Sequence, residues 1–370
     1  MRFDMHKWGI LLLLFIFVGC GSDTEITTEK VFNDSSDKLT QTKIVPTLDT
    51  PMPEGNVIWC STFQLAWNEL KNDIIKSPIQ LTDPVVNAIA QSLNNAKQGK
   101  NDLDTQDYYA KAGYVADGII ETIKQEMAAK FPDYDTSHLI PGGEEIIWAY
   151  SYLNVRAKFT EPFMEQAFTF INSDGTSTNI EGFGLRESYR SGRRDIARQI
   201  DVLYFKEYDE KFGLEEFIID PCKFTSPYQV ILACVEPMDT LNKTIAYIET
   251  KIEEFKTADI HESEKIFSGG DELSVPVTCW KIEHDYKKLI GVNLKNKGFD
   301  ELFIGKALQD ISFRLDRSGA FVVSEGNADL MECQPRDFKF NRPFMIYLKK
   351  RDGGEPFFAM WVDNAELLNK

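Results

Sequence analysis

Residues 308–348 read LQDISFRLDRSGAFVVSEGNADLMECQPRDFKFNRPFMIYL. Two apolar, strand-like runs, Ile311–Leu315 and Phe344–Leu348, bracket a long polar stretch with few helix signals. Long connections without structure of their own are uncommon inside compact domains and are often functional. The stretch therefore reads as a working loop carried by two strands.

Working outward, the chain predicts helices first, then a mixed middle, then mostly strands. Residues 56–70 place Phe63, Ala66, Trp67 and Leu70 at helical spacing. Asp83-Pro84 combines an N-cap residue with proline at the first helical position. Val115, Ile119, Ile120, Ile123 and Met127 make an apolar stripe, so a helix is expected from about Tyr114 to Lys130. Ile146–Leu153 is nearly continuous apolar and aromatic sequence, as in a strand covered on both faces. Further strands are predicted at 167–171, 217–219, 228–235, 273–282 and 356–362. Leu241, Ile245, Ile248, Ile252 and Phe255 mark one more amphipathic helix. This order suits an α+β fold with a large sheet.

The 370 residues are 43% hydrophobic and 27% charged, a normal globular balance. A net charge of -17 argues against nucleic-acid binding, which needs clustered Lys and Arg. Arg2 and Lys7 precede an apolar run from Trp8 to Gly19 that is short for a membrane span. With Phe17-Val18-Gly19-Cys20 it looks like a lipobox, so residues 1–19 are expected to be a lipoprotein signal peptide and Cys20 the lipidated residue. Thr-, Ser-, Asp- and Lys-rich residues 20–54 read as a flexible tether, with the folded domain at 55–370. Such a protein would be an extracytoplasmic, membrane-anchored lipoprotein. Five cysteines remain besides Cys20, and their pairing is not legible in the sequence. The four histidines are scattered, so no metal site is expected, and no cofactor motif is present. There is no GxSxG elbow, phosphate-binding glycine loop or HExxH, so the chain is not read as an enzyme.

Several segments, in order, resemble the serpins. Phe340-Asn341-Arg342-Pro343-Phe344 is similar to that family's F-x-A-D/N-H/R-P-F signature, and Pro356–Asn364 to its terminal strand. Val155–Phe163 resembles the F-K-G-K-W-x-x-P-F pattern in its Lys, Pro and Phe, with Phe159 where Trp is usual. Cys279–Leu289 resembles the K-F-K-x-E-x-x-Y-D-L segment, and Asn56-Val57-Ile58-Trp59 the opening of the second helix. The resemblance spans about Gly55 to Lys370. It implies three sheets with surrounding helices and an exposed reactive loop. It further implies a suicide-substrate inhibitor, acting as a monomer on a protease that cuts the loop, whose N-terminal part then inserts as a strand.

Carried over by position, Asp316-Arg317-Ser318-Gly319 is the hinge and the loop follows Gly319. If Ala320 faces inward on insertion, the inward set is Ala320, Val322, Ser324, Gly326, Ala328 and Leu330, all uncharged. Both charges of the run, Glu325 and Asp329, face outward, which avoids burying an unpaired carboxylate. The cut is expected among Met331, Glu332, Cys333 and Gln334: counting back from Phe340 gives Glu332, counting forward from Gly319 gives Cys333. No Lys or Arg stands there, so the expected target is a non-tryptic serine or cysteine protease, and Arg336 lies beyond the cut. Cys60-Ser61-Thr62-Phe63 replaces the family's S-P-x-S, while Gln309 and Ser151 replace the His and Asn of its polar lock. Those changes predict a weakened lock. The alternative is a non-inhibitory serpin-fold binding protein at the cell surface.

Overall fold

The computed structural model describes residues 30–140, 146–156, 159–186, 193–207, 214–318 and 336–370. In chain order they form β1 (Phe32–Ser35), β2 (Thr42–Ile44), β3 (Asn56–Cys60), α1 (Ser61–Glu69), α2 (Pro84–Asn95), β4 (Tyr108–Tyr114) and α3 (Ile119–Lys130). Then come β5 (Ile146–Arg156), β6 (Met164–Ile171), β7 (Ser177–Leu185), α4 (Arg193–Arg198), β8 (Asp201–Glu207), β9 (Leu214–Asp220), β10 (Tyr228–Cys234) and α5 (Leu241–Thr257). Last are β11 (Glu272–Pro276), β12 (Thr278–Asp285), β13 (Phe303–Leu315), β14 (Asp337–Lys339), β15 (Phe344–Lys350) and β16 (Phe358–Val362).

The strands form three sheets, so the α+β class and the three-sheet count are as expected. Their orders are β1-β12-β13-β5-β4, β2-β3-β16-β15-β10-β9-β8 and β14-β11-β7-β6. The five- and seven-stranded sheets pack face to face. Ile282, Ile311, Phe313 and Leu315 meet Ile58, Leu232, Ile346 and Met360 in one buried cluster. Trp280, Phe313 and Phe358 bridge the two sheets, with the Phe313 and Phe358 rings stacked at 4.5 Å. On the outer face of the five-stranded sheet, α3 buries Ile120, Ile123 and Met127 over Trp148, Tyr150 and Tyr152. On the far face of the seven-stranded sheet, α5 buries Leu241, Ile245, Ile248 and Ile252 over Ile218, Ile231 and Tyr347. The faces of the five- and seven-stranded sheets are thus closed by the apolar stripe of a helix or by another sheet.

Three expectations need correction. Residues 30–54 are not a tether. β1 pairs with β12 and β2 with β3, while Leu39, Val45 and Leu48 are buried. A polar segment can still order when its backbone completes a sheet edge and a few apolar residues are buried. Glu366 accepts hydrogen bonds from the Thr40 and Gln41 amides and from Thr42 Oγ1, which pins this segment. Second, Asn56–Cys60 is strand β3 rather than the start of a helix; all five residues are buried inside the seven-stranded sheet, and helix begins at Ser61. Third, Tyr114 ends strand β4. The helix starts only after Gly118, whose φ of 77° suits a residue without Cβ. The cap of α2 is as predicted, with Asp83 Oδ1 accepting from the Val85 and Val86 amides at 2.8 and 3.0 Å.

Candidate functional site

The candidate site is the seam between β5 and β13 together with the two roots of the 319–335 segment. Gly319, Ala320, Val322, Ser324, Glu332, Cys333 and Gln334 lie outside the described residues, as does Cys20. The roots and the seam are described in full.

β5 and β13 lie side by side as a parallel pair over eleven registered positions, from Phe303↔Ile146 to Arg314↔Arg156. Successive residues of a strand face opposite sides of its sheet. Gln309 and Asp310, adjacent on β13, therefore act on opposite faces of the seam, and both are fully buried.

On the inner face, Gln309 Nε2 donates to Thr62 Oγ1 at 2.8 Å and to the Cys60 carbonyl at 3.1 Å. Its Oε1 accepts from Tyr286 OH at 2.7 Å. Tyr286 stacks on Phe63 at 4.0 Å, and Thr62 Oγ1 lies 3.2 Å from Cys60 Sγ. The predicted weakening of the lock is thus not what the geometry shows, because a glutamine amide joins three elements. It ties β13 to the first turn of α1 and to the residue following β12. Ser151 faces Gln309 in the register but does not join, and its hydroxyl has no partner among the described residues. Burial pushes the Cys60 thiol up to about 11, so it stays protonated and unreactive at neutral pH. Cys222, Cys234 and Cys279 are likewise buried.

On the outer face, Asp310 Oδ2 accepts from Tyr134 OH and, at 3.2 Å, from Tyr150 OH. Tyr134 lies in the segment that leaves α3 and crosses the seam; its ring also packs on Tyr152 of β5 at 4.4 Å. His138 of the same segment brings Nε2 to 3.3 Å from Asp310 Oδ2 and 3.9 Å from Glu283 Oε2. Burial raises the pKa of both tyrosines, as does the Asp310 charge beside them, so they remain hydroxyl donors. None of this outer cluster was picked out from the sequence. The visible signal was the Gln309-Asp310 pair inside the run Ala307 to Ile311, since a central strand rarely carries two consecutive polar residues without partners.

The two roots differ. At the first, Arg317 Nε donates to the Phe163 carbonyl at 3.1 Å and Nη1 to Glu165 at 2.7 Å. Those side chains are 30% and 73% exposed. Ser318 N donates to Asp316 Oδ1 at 2.7 Å. At the second, Arg336 is 8% exposed and Asp271 fully buried. Arg336 Nη2 lies 2.6 Å from Asp271 Oδ2, Nη1 donates to the Glu264 carbonyl at 2.7 Å, and Nη2 also donates to that of Ile266 at 2.6 Å. The guanidinium packs 4.8 Å from the Phe205 ring centre and 5.3 Å from that of Phe338. Arg336 is an anchor. The first root sits at the β6 edge of the four-stranded sheet and the second at its β14 edge. Three strand spacings separate those edges, about 15 Å, whereas seventeen residues can reach roughly 55 Å. The 319–335 segment is therefore far longer than the gap requires.

No family model matches the chain, and no curated protein matches it in sequence. Among solved structures it is similar to native protease nexin-1 with heparin, at 11% identity and a TM-score of 0.48, covering 84% of this chain and 92% of that one. It is similar to the Manduca sexta serine protease inhibitor serpin-12, at 12% identity and a TM-score of 0.47, covering 86% and 95%. It is also similar to mouse protein-Z dependent protease inhibitor, at 13% identity and a TM-score of 0.49, covering 84% and 91%. These are likenesses of fold alone, and the three-sheet architecture rests on this chain's own strand pairing.

Proposed function

We propose that the chain is a serpin-like protease inhibitor whose 319–335 segment is cut by a target protease and then inserts between β5 and β13. The observation that carries this reading is the direct parallel pairing of those two strands. A segment turning back after β13 would run antiparallel to both neighbours. Insertion would replace one parallel ladder, slightly the weaker kind, with two antiparallel ladders. Length and polarity fit as well. Residues 320–331 can fill the eleven-pair seam, with the uncharged set from Ala320 to Leu330 facing the inner core. The native state would persist kinetically, held by the latches on both faces of the seam.

The expected cut lies at Glu332 or Cys333, and the target is a non-tryptic serine or cysteine protease. Incubation with a panel of such proteases should yield an SDS-resistant complex. Cleavage without any complex across the panel would overturn inhibition and leave the alternative, a non-inhibitory surface binding protein of the same fold. We also propose anchoring through lipidated Cys20, which Cys20→Ala should abolish, moving the protein from the detergent phase to the aqueous phase. Unchanged partitioning would contradict it.

A further inference from the structure

We propose that His138, Glu283 and Asp310 form a binding site for a divalent transition-metal cation of the zinc class, joining the segment after α3 to β12 and β13. The fold gathers one imidazole and two carboxylates from three places far apart in the sequence. Their ligand atoms all lie within 4.8 Å of one another. A tetrahedral zinc ion with bonds near 2.0–2.1 Å sets its ligands about 3.4 Å apart. The 3.3 Å from His138 Nε2 to Asp310 Oδ2 and the 3.9 Å from it to Glu283 Oε2 are close to that spacing.

Two further observations point to a ligand. Asp310 is fully buried, yet its Oδ1 has no hydrogen-bond partner among the described residues. His138 Nε2 is likewise buried, turned toward the carboxylates of Asp310 and Glu283 at 3.3 and 3.9 Å, a contact that a bound cation would bridge. Leaving a carboxylate oxygen buried and unsatisfied is costly, and a cation that takes Asp310 through both oxygens removes that cost. Tyr134 and Tyr150 donate to Asp310 Oδ2 and would orient it, as outer-shell donors do around bound metals. The nearby lysines have other partners: Lys306 Nζ is 2.8 Å from Asp285, and Lys281 lies over the Tyr134 ring at 4.3 Å. His138 and Glu283 are 26% and 38% exposed, so a cation can enter and water can complete its shell. A mixed imidazole and carboxylate set suits zinc and its neighbours better than calcium.

The test is titration of the purified full chain with zinc, and with cobalt as a spectroscopic probe. One ion per chain is expected, with His138→Ala and Glu283→Gln each weakening it tenfold or more and removing the visible cobalt bands. Both altered side chains are partly exposed, so these variants should fold, and unchanged circular dichroism would verify it. Absence of stoichiometric binding to the unaltered chain would overturn the proposal, as would equal binding by both folded variants. Neither result depends on whether the protein inhibits a protease.

Discussion

The two roots of the 319–335 segment are held by unlike chemistry. Arg317 reaches a carbonyl and an exposed carboxylate at the surface, whereas Arg336 is enclosed with Asp271 between two backbone carbonyls and two aromatic rings. Exposed ion pairs contribute little; buried ones cost several kcal/mol to break because the remaining charge is stranded. One root is thus weakly held and the other fixed, the asymmetry that the proposed insertion into the β5–β13 seam would require.

The comparison breaks most visibly at the fixed root. Arg336→Ala should lower unfolding free energy by about 3–5 kcal/mol in urea denaturation, since it leaves the Asp271 carboxylate buried alone. Arg317→Ala should stay within about 1 kcal/mol. Comparable losses in the two variants would erase the distinction between the roots.

The inner latch comes next. Gln309→Ala strands Tyr286 OH and leaves Thr62 Oγ1 with Cys60 Sγ alone, and should cost about 1–3 kcal/mol. It should also speed insertion, read as faster formation of a heat-resistant form on mild warming. A variant that loses stability with no change in that rate would make Gln309 a packing residue only.

The smallest effect is expected where Glu366 holds the segment before β2. Burial alone would raise its carboxyl, but hydrogen bonds from Thr42 Oγ1 and the Thr40 and Gln41 amides outweigh it and leave the pKa below the ordinary 4.5. A depressed folded-state pKa gives stability that is complete above the unfolded value and fades as pH falls through the folded one. Between about pH 5 and pH 3 the unaltered protein should lose unfolding free energy faster than Glu366→Gln, the difference staying under about 1 kcal/mol. Parallel curves would remove Glu366 from that role.

What the sequence made legible follows from range. β5, β6, β10 and α5 announce themselves because apolar runs and stripes are local. The two strands that flank residues 319–335, β13 and β15, were readable for the same reason. β3 was misread because Val57-Ile58-Trp59-Cys60 abuts a true helix, and an unbroken apolar run has no period of its own. β1 and β2 were hidden in polar sequence, since their order comes from partners more than two hundred and about fourteen residues away. The latches are the least legible part. Gln309 was singled out only as a departure from a family pattern, yet its amide satisfies Thr62 and Tyr286 together. His138 and Asp310 have no sequence spacing that relates them; only the crossing of the seam by the segment after α3 makes them neighbours.

The most direct test is the melting temperature before and after a single cut within 319–335, with the polypeptide kept together. Strand insertion predicts a rise far beyond the roughly 2–4 °C that about 1 kcal/mol produces in a large domain. An unchanged or lowered melting temperature in fully cleaved protein would contradict the account.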